Sequence, residues 1–469
     1  MSDLQHVTPV MRPSSSERRL VAVSNTLFAV GIVLTALIMP LDRVQNLATS
    51  PPYLSLIALL LLLQRGAVLA WEGYRSKSRF RPHVGTALAF GLPAIAAGIA
   101  TATAFNRNVA VAAAVLFCFV LLRGWALARY VRQQDLELFE NALLWVSAVV
   151  VAFGYYQYIG DVLGLPQSWT LLRGSYASMS TYPFPRVQSF ALEPLYLAHY
   201  LFLPVGVLMV RFLRRKRAPL VEQVLLVFTL GLFLLTLSRG AILGIALALV
   251  LMLAVARSWR LIGHLLKVTG FAVVIVFAML SLVGIAQSMR APETPNADGS
   301  TPSTATAVDA FTSHAVDLND GSARTRYDLW PTTIDMFTEH PFTGVGPNNS
   351  RVLLQGGSDS ITPDEASLLQ PVNNDYLAYL SEMGLVGLVL TLPLIFYVLR
   401  ALWGVVRARL DHPSGPYAFA LVGMAFEANA FHSLLLLRTW VVLALLIAGA
   451  RLYSETRLGE PAATGLGTP

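Results

Sequence analysis

Long apolar runs, parted by short basic clusters, set the pattern of this chain. A membrane-crossing helix needs about 20 apolar residues. Runs near that length read at Leu20–Leu41, Tyr53–Trp71, Val84–Phe105, Val109–Ala128, Ala142–Leu163, Ala191–Phe212, Leu220–Leu237, Ala241–Val255, Val268–Gln287, Asp375–Leu399, Tyr417–Leu434 and Trp440–Leu452. The pattern predicts an all-α polytopic membrane protein of about twelve transmembrane helices. Residues 1–19 and 453–469 are polar tails, 20–287 hold helices 1–9 with a polar loop at 164–193, 288–374 form a large loop, and 375–452 hold helices 10–12. The first half of the large loop is Pro/Ser/Thr/Ala-rich, which predicts mobility. Its second half has helical periodicity around Arg326–Phe337 and turn signals in His340-Pro-Phe-Thr-Gly-Val-Gly346, so it is expected to be partly helical.

Charge orients this pattern. One alternate set of loops, with both tails, gathers about 23 basic residues against about 10 on the other side, which predicts cytoplasmic termini. Arg123, Arg129 and Arg132 are counted in one of those cytoplasmic clusters. The net charge of +7 therefore reports topology, and nucleic acid is not an expected partner. With 55% hydrophobic and 13% charged residues and a mean hydropathy of +0.59, the composition excludes a soluble domain. Cys118, the only cysteine, excludes a disulfide framework and a thiolate metal site. Met1–Arg19 lacks a signal-peptide cleavage pattern, so the first run is expected to be a retained helix.

The candidate chemistry begins at Thr236-Leu237-Ser238-Arg239-Gly240, a charge inside a helical hairpin. An unpaired guanidinium in hydrocarbon costs at least ~2.5–3.5 kcal/mol, so Arg239 either snorkels to lipid headgroups or awaits an anion such as phosphate. Arg186-Val-Gln188-Ser-Phe-Ala-Leu-Glu193-Pro194 brings an arginine and a carboxylate to the start of the sixth span. As a purely structural pair, Glu193 would cap that helix and Arg186 would bind it. Asn373-Asn374-Asp375-Tyr376 opens the tenth span, and Asp375, Tyr379 and Glu382 share one helical face, as a polar cavity lining would. His314 and His340 are loop candidates for proton transfer, and Glu427, Asn429 and His432 are read as the inner wall of the same cavity. The sequence has no GxxxxGK[ST], HExxH or GxSxG motif, and Asp317-Leu-Asn-Asp-Gly fails as a calcium loop; neither metal nor cofactor is expected.

Taken in order, these motifs resemble the O-antigen ligase/polymerase superfamily of bacterial envelope glycan enzymes, which includes Wzy-type polymerases and lipopolysaccharide ligases. The resemblance rests on Arg186…Ser189-Phe190…Glu193-Pro194, Leu237-Ser238-Arg239-Gly240, Arg326-x-x-x-Trp330, His340–Gly346 and Asn374-Asp-Tyr-Leu…Glu382-Met-Gly-Leu-Val-Gly387. It implies an inner-membrane, metal-independent, inverting glycosyltransferase active at the periplasmic face. An oligosaccharide on undecaprenyl diphosphate would be the donor, and a glycan or lipid-linked glycan hydroxyl the acceptor. Membrane lipid and a chain-length regulator protein are the further partners implied. Arg186, Arg239 and Arg326 would bind the diphosphate, while Gln188, Ser238, Asn373, Asn374, Tyr376, Tyr379 and Glu382 would line the substrate cavity. Many members have His-Asn where this chain has Asn373-Asn374, so the base is sought in Glu193, His340 and Asp375, in that order. The Glu-Pro pair resembles polymerases more than ligases. Ligation of O-antigen to lipid A core is the alternative, and a lipid-linked sugar flippase the alternative of another class. A flippase should show repeated halves and midplane polar groups; no repeat is visible and the polar candidates crowd one face, with Glu427, Asn429 and His432 the strongest counter-evidence.

Overall fold

The computed structural model describes residues 15–41, 53–75, 84–178, 183–215, 218–290, 304–316, 321–409 and 411–457. In chain order the helices are α1 (Ser15–Ile38), α2 (Tyr53–Arg75), α3 (Val84–Ala102), α4 (Arg107–Tyr130), α5 (Gln133–Leu163) and the short α6 (Gln167–Thr170). Then follow α7 (Pro194–Arg214), α8 (Leu220–Leu235), α9 (Arg239–Ala256) and α10 (Trp259–Arg290). The large loop carries α11 (Thr304–Val316), α12 (Gly321–Glu339), α13 (Ser350–Leu354) and α14 (Pro363–Leu368). The chain closes with α15 (Asp375–Arg407), α16 (Gly415–Glu427) and α17 (Leu437–Arg457). The loop half predicted to be mobile falls almost wholly outside the described residues.

The protein is an all-α polytopic membrane protein, with ten described helices long and apolar enough to cross a bilayer. The other two predicted spans are shorter. The first is α8, with 16 residues, and the second is α16, which stops after 13 at Glu427. Helix α7 is the central post. It is apolar around its whole circumference and buried at every residue from Leu197 to Val210, as a helix enclosed by others must be. Helices α5, α8, α9 and α16 pack around it.

Among the described residues three arginines lie buried inside the bundle, Arg65, Arg123 and Arg438. Arg65 of α2 pairs with Asp135 at 2.6 Å, donates to the Tyr130 carbonyl at 3.1 Å and stacks 3.8 Å over Phe28. Asp135 also accepts from the Arg132 amide at 2.9 Å, at the N-terminus of α5. Arg123, counted with a loop cluster in the charge pattern, is instead a fully buried residue of α4 that donates to the Ser55 carbonyl beside the Phe119 ring. One arginine thus leaves the cytoplasmic tally, and the bias of the remaining clusters is unchanged.

The second half of the large loop is locked to the bundle by backbone bonds. Gly384 interrupts α15 with φ 61°, ψ −162°, which frees groups on both sides of the break. The Leu385 and Val386 amides donate to the Pro341 and Phe342 carbonyls at 2.8 and 3.0 Å. In return, Val345 and Gly346 donate to the Ser381 and Glu382 carbonyls at 2.8 and 3.1 Å. Only glycine fits at two of these points. A Cβ on Gly344 (φ 67°) would lie 2.4 Å from the Glu382 carbonyl carbon, and one on Gly384 would lie 2.4 Å from the Phe342 oxygen. The α3–α4 turn grips the other side. Asn106 and Asn349 bond reciprocally, amide to Oδ1 at 2.8 Å and Nδ2 to carbonyl at 3.2 Å.

Candidate functional site

Helix α8 ends at Leu235 and α9 begins at Arg239, so the predicted hairpin turns within three residues. Thr236 closes α8 through its hydroxyl, which donates to the Phe233 carbonyl at 2.7 Å. Leu237 turns the chain at φ 53° with its side chain buried, a left-handed conformation that costs a bulky residue of order 1–3 kcal/mol. Ser238 is the N-cap of α9, but its hydroxyl makes no cap bond, and its buried Oγ has no hydrogen-bond partner among the described residues. The first turn of α9 therefore lacks a side-chain cap, next to Arg239, at the end of the helix whose dipole favours anions.

Arg186 reaches this turn from the preceding loop. Its Nε and Nη2 donate to the Thr236 carbonyl at 3.3 and 3.2 Å, and its guanidinium lies 5.9 Å from the Tyr176 ring centre. The Tyr176 hydroxyl bonds the Glu193 carboxylate, and burial together with that carboxylate pushes Tyr176 up to about 12. Glu193 is the N-cap residue of α7 by position, with Pro194 following, yet its side chain makes no cap bond. The loop is pinned by Gln157 of α5, whose Oε1 accepts from the Ser189 amide at 2.7 Å while its Nε2 donates to the Thr170 and Ser189 carbonyls. Ser189 holds φ 50° in this clamp. Gln188 donates to the Leu171 carbonyl at 3.2 Å, and its buried Oε1 has no hydrogen-bond partner among the described residues. Gln157 was absent from the sequence expectations because a lone glutamine in an apolar run carries no signal of its partner.

Against the first turn of α9 lies the stretch 428–436, which joins α16 to α17 without being helical. Hydropathy predicted a span through Leu434; the chain breaks at Glu427 instead. The carboxylate of Glu427 meets His199 Nδ1 at 2.5 Å, and His199 Nε2 meets the Thr439 hydroxyl at 3.1 Å. Ala430 packs on the first turn of α9, its Cβ 3.3 Å from where a Cβ on Gly240 would lie. Phe431 stacks edge-on against Tyr196. The Asp375 amide donates to the Ala428 carbonyl at 2.8 Å, and the Tyr376 hydroxyl donates to the Ala425 carbonyl at 2.7 Å.

Asn374 caps α15, its Oδ1 accepting from the Tyr376 and Leu377 amides; Asn373 precedes it, half-buried. Asp375 is buried and fully engaged: Oδ1 accepts from the Ser433 and Leu434 amides, and Oδ2 accepts from the Ser433 hydroxyl at 2.5 Å. Glu382, on the same face, accepts from the Ser350 hydroxyl at 2.5 Å. The Tyr379 hydroxyl turns along the helix to the Gly387 carbonyl and Thr391. The sequence missed Arg351, a half-buried guanidinium of α13 whose charge faces Glu382 and Tyr196; burial pulls it down from its ordinary value. His340 is exposed at the end of α12. The side chains of Arg326 and His314 lie outside the described residues.

Residues 224–392 match a family model, Wzy_C, described as O-antigen ligase. This match, over 169 of the 469 residues, supports the likeness to the O-antigen ligase/polymerase superfamily that the motifs suggested. It runs from α8 through the hairpin, the locked loop and the break in α15, and the family implies a glycosyl-transferring enzyme with lipid-linked glycan substrates. Arg186, Glu193 and His432 fall outside the matched residues. No curated protein matches the chain.

Proposed function

We propose that this protein is an inner-membrane polysaccharide polymerase that takes glycan from undecaprenyl diphosphate and adds it to a sugar hydroxyl at the periplasmic face. The observation that carries this reading is the pair of bonds from Arg186 to Thr236, three residues before Arg239. Two guanidinium groups from separate segments, with the N-terminus of α9, make a receptor for a departing diphosphate. A guanidinium fork pairs bidentately with phosphate oxygens and keeps its charge when partly desolvated. Fixed positive groups stabilise the charge that develops on the leaving oxygen. The acceptor oxygen would attack the anomeric carbon from the opposite side as the bond to diphosphate breaks, inverting the configuration in one displacement.

Buried Gln188 and Ser238 are assigned to the donor side of the cavity, and Asn373, Tyr376, Tyr379 and Glu382 to the wall of the acceptor side. Glu193, bonded to Tyr176, would steady the Arg186 loop. Lys/Arg bias supports cytoplasmic termini and a periplasmic site. The Glu193-Pro194 pair favours polymerase over ligase.

The test is Arg239→Ala in cells deleted for the native copy, with surface glycan read by gel. Loss of the chain-length ladder, with single repeats left attached and folded protein still in the membrane, is expected. Long chains stranded on the carrier lipid would identify a ligase, and a wild-type ladder would overturn both readings.

A further inference from the structure

His432 is the buried side chain that this chemistry leaves unused. It is 8% exposed, and neither ring nitrogen has a hydrogen-bond partner among the described residues. Leaving a buried polar group unsatisfied is costly, and this imidazole carries two such atoms. Its surroundings are built around it. Nδ1 stands 3.6 Å from Asp375 Oδ1. The next two residues, Ser433 and Leu434, are tied to that same carboxylate by three hydrogen bonds. Two residues earlier, Ala430 packs on the first turn of α9, beside Arg239. The ring is therefore held beside the acid at the head of α15, on a stretch that touches the first turn of α9 two residues earlier.

The groups that face it decide its form. Arg351 of α13 presents positive charge to His432, and Glu382 lies beyond Asp375. Burial and a facing cation favour a neutral imidazole. A carboxylate behind Nδ1 selects the tautomer with its proton there, leaving the Nε2 lone pair for another hydroxyl. Asp375 acts on Nδ1 by charge at 3.6 Å, and Nε2 is left to accept from an O–H donor.

Resting on the glycosyltransferase reading above, we propose that His432 is the general base toward the acceptor sugar hydroxyl, with Asp375 its positioning residue. The hydroxyl proton passes to Nε2 as the oxygen attacks the anomeric carbon. The electrons of the breaking C–O bond leave with the diphosphate, and the proton is later returned to water. This assignment replaces Glu193 and His340 as base. It gives Asp375 a different task from accepting the proton itself, since its oxygens already receive three bonds.

The experiment uses membranes from cells lacking the native copy, in which single repeats accumulate on the carrier lipid, supplemented with full-length His432→Ala, His432→Gln or Arg239→Ala protein. His432→Ala is expected to slow chain growth about 10²–10⁴-fold, the range of a lost general base, and added imidazole to restore at least a tenth of it. Arg239→Ala should lose activity that imidazole does not restore. Wild-type rates in both His432 variants, or a loss in folded His432→Gln and His432→Ala that imidazole leaves untouched, overturn the base assignment while the polymerase reading stands on Arg239→Ala. A wild-type rate in Arg239→Ala removes the underlying reading instead.

Discussion

Arg186 Nε and Nη2 both donate to the carbonyl of Thr236, 50 residues further along the chain. A backbone acceptor cannot be removed by substitution, so the contact is probed from the arginine. Lysine offers a point charge without the fork. Arg186→Lys should slow glycan chain growth roughly tenfold and Arg186→Ala roughly a hundredfold, because each charge-assisted bond is worth about 1.5–3 kcal/mol. Rates of ladder extension in membranes measure both.

The lock between the large loop and α15 predicts a sharp contrast among glycines. Gly384→Ala meets the Phe342 carbonyl at 2.4 Å in a left-handed backbone, whereas Gly356→Ala shares the positive φ of 63° but opens into free space. The first should cost well over about 3 kcal/mol and the second about 1–2 kcal/mol. Thermal unfolding in detergent, paired with proteolysis of residues 321–374, separates them.

Asn349→Ala should loosen the same loop from the opposite side. It deprives the buried Asn106 amide of its acceptor, while the Asn106 carbonyl keeps the Ala110 amide as a donor at 3.1 Å. The expected loss is about 1–3 kcal/mol for the amide left unsatisfied. The α3–α4 turn should then exchange amide hydrogens faster than in the wild type.

Acid should destabilise the protein through His412, in the connection from α15 to α16. Burial first, then Arg214 and Arg457, push it down from 6.5 to about 4, and its Nδ1 accepts from the Ser414 amide at 3.2 Å. The unfolded chain binds this proton near pH 6.5 and the folded chain only near 4. The stability is therefore whole above about 6.5 and is lost as pH falls through that window. His412→Asn keeps an acceptor where Nδ1 stands and removes the titration, so its melting temperature should vary less between pH 6.5 and 4.

What the sequence makes legible follows from how far each signal reaches. Span lengths and the hairpin at Arg239 are local facts about hydrocarbon, and the helices formed where apolar runs predicted them, except where α16 stops at Glu427. The convergence of Arg186 on the hairpin was also legible, because both motifs sit at helix boundaries on one predicted face. The break at 428–436 was hidden: Phe431 and Leu434–Leu437 continue the apolar run, while the bonds that hold the chain open come from Asp375, over 50 residues earlier. The glycines of His340–Gly346 read as turn signals, but their purpose depends on Gly384, and no local pattern links the two. Arg351 follows Ser350 without any motif, and only the fold brings it opposite Glu382 and His432.

The union of the large loop with α15 is made almost wholly of main-chain atoms, with glycine at the tightest crossings. Its strength therefore depends little on which side chains decorate the surrounding surface. Such a mount lets the side chains around it change while the attachment endures, so the surface of the loop is free to vary without rebuilding the frame.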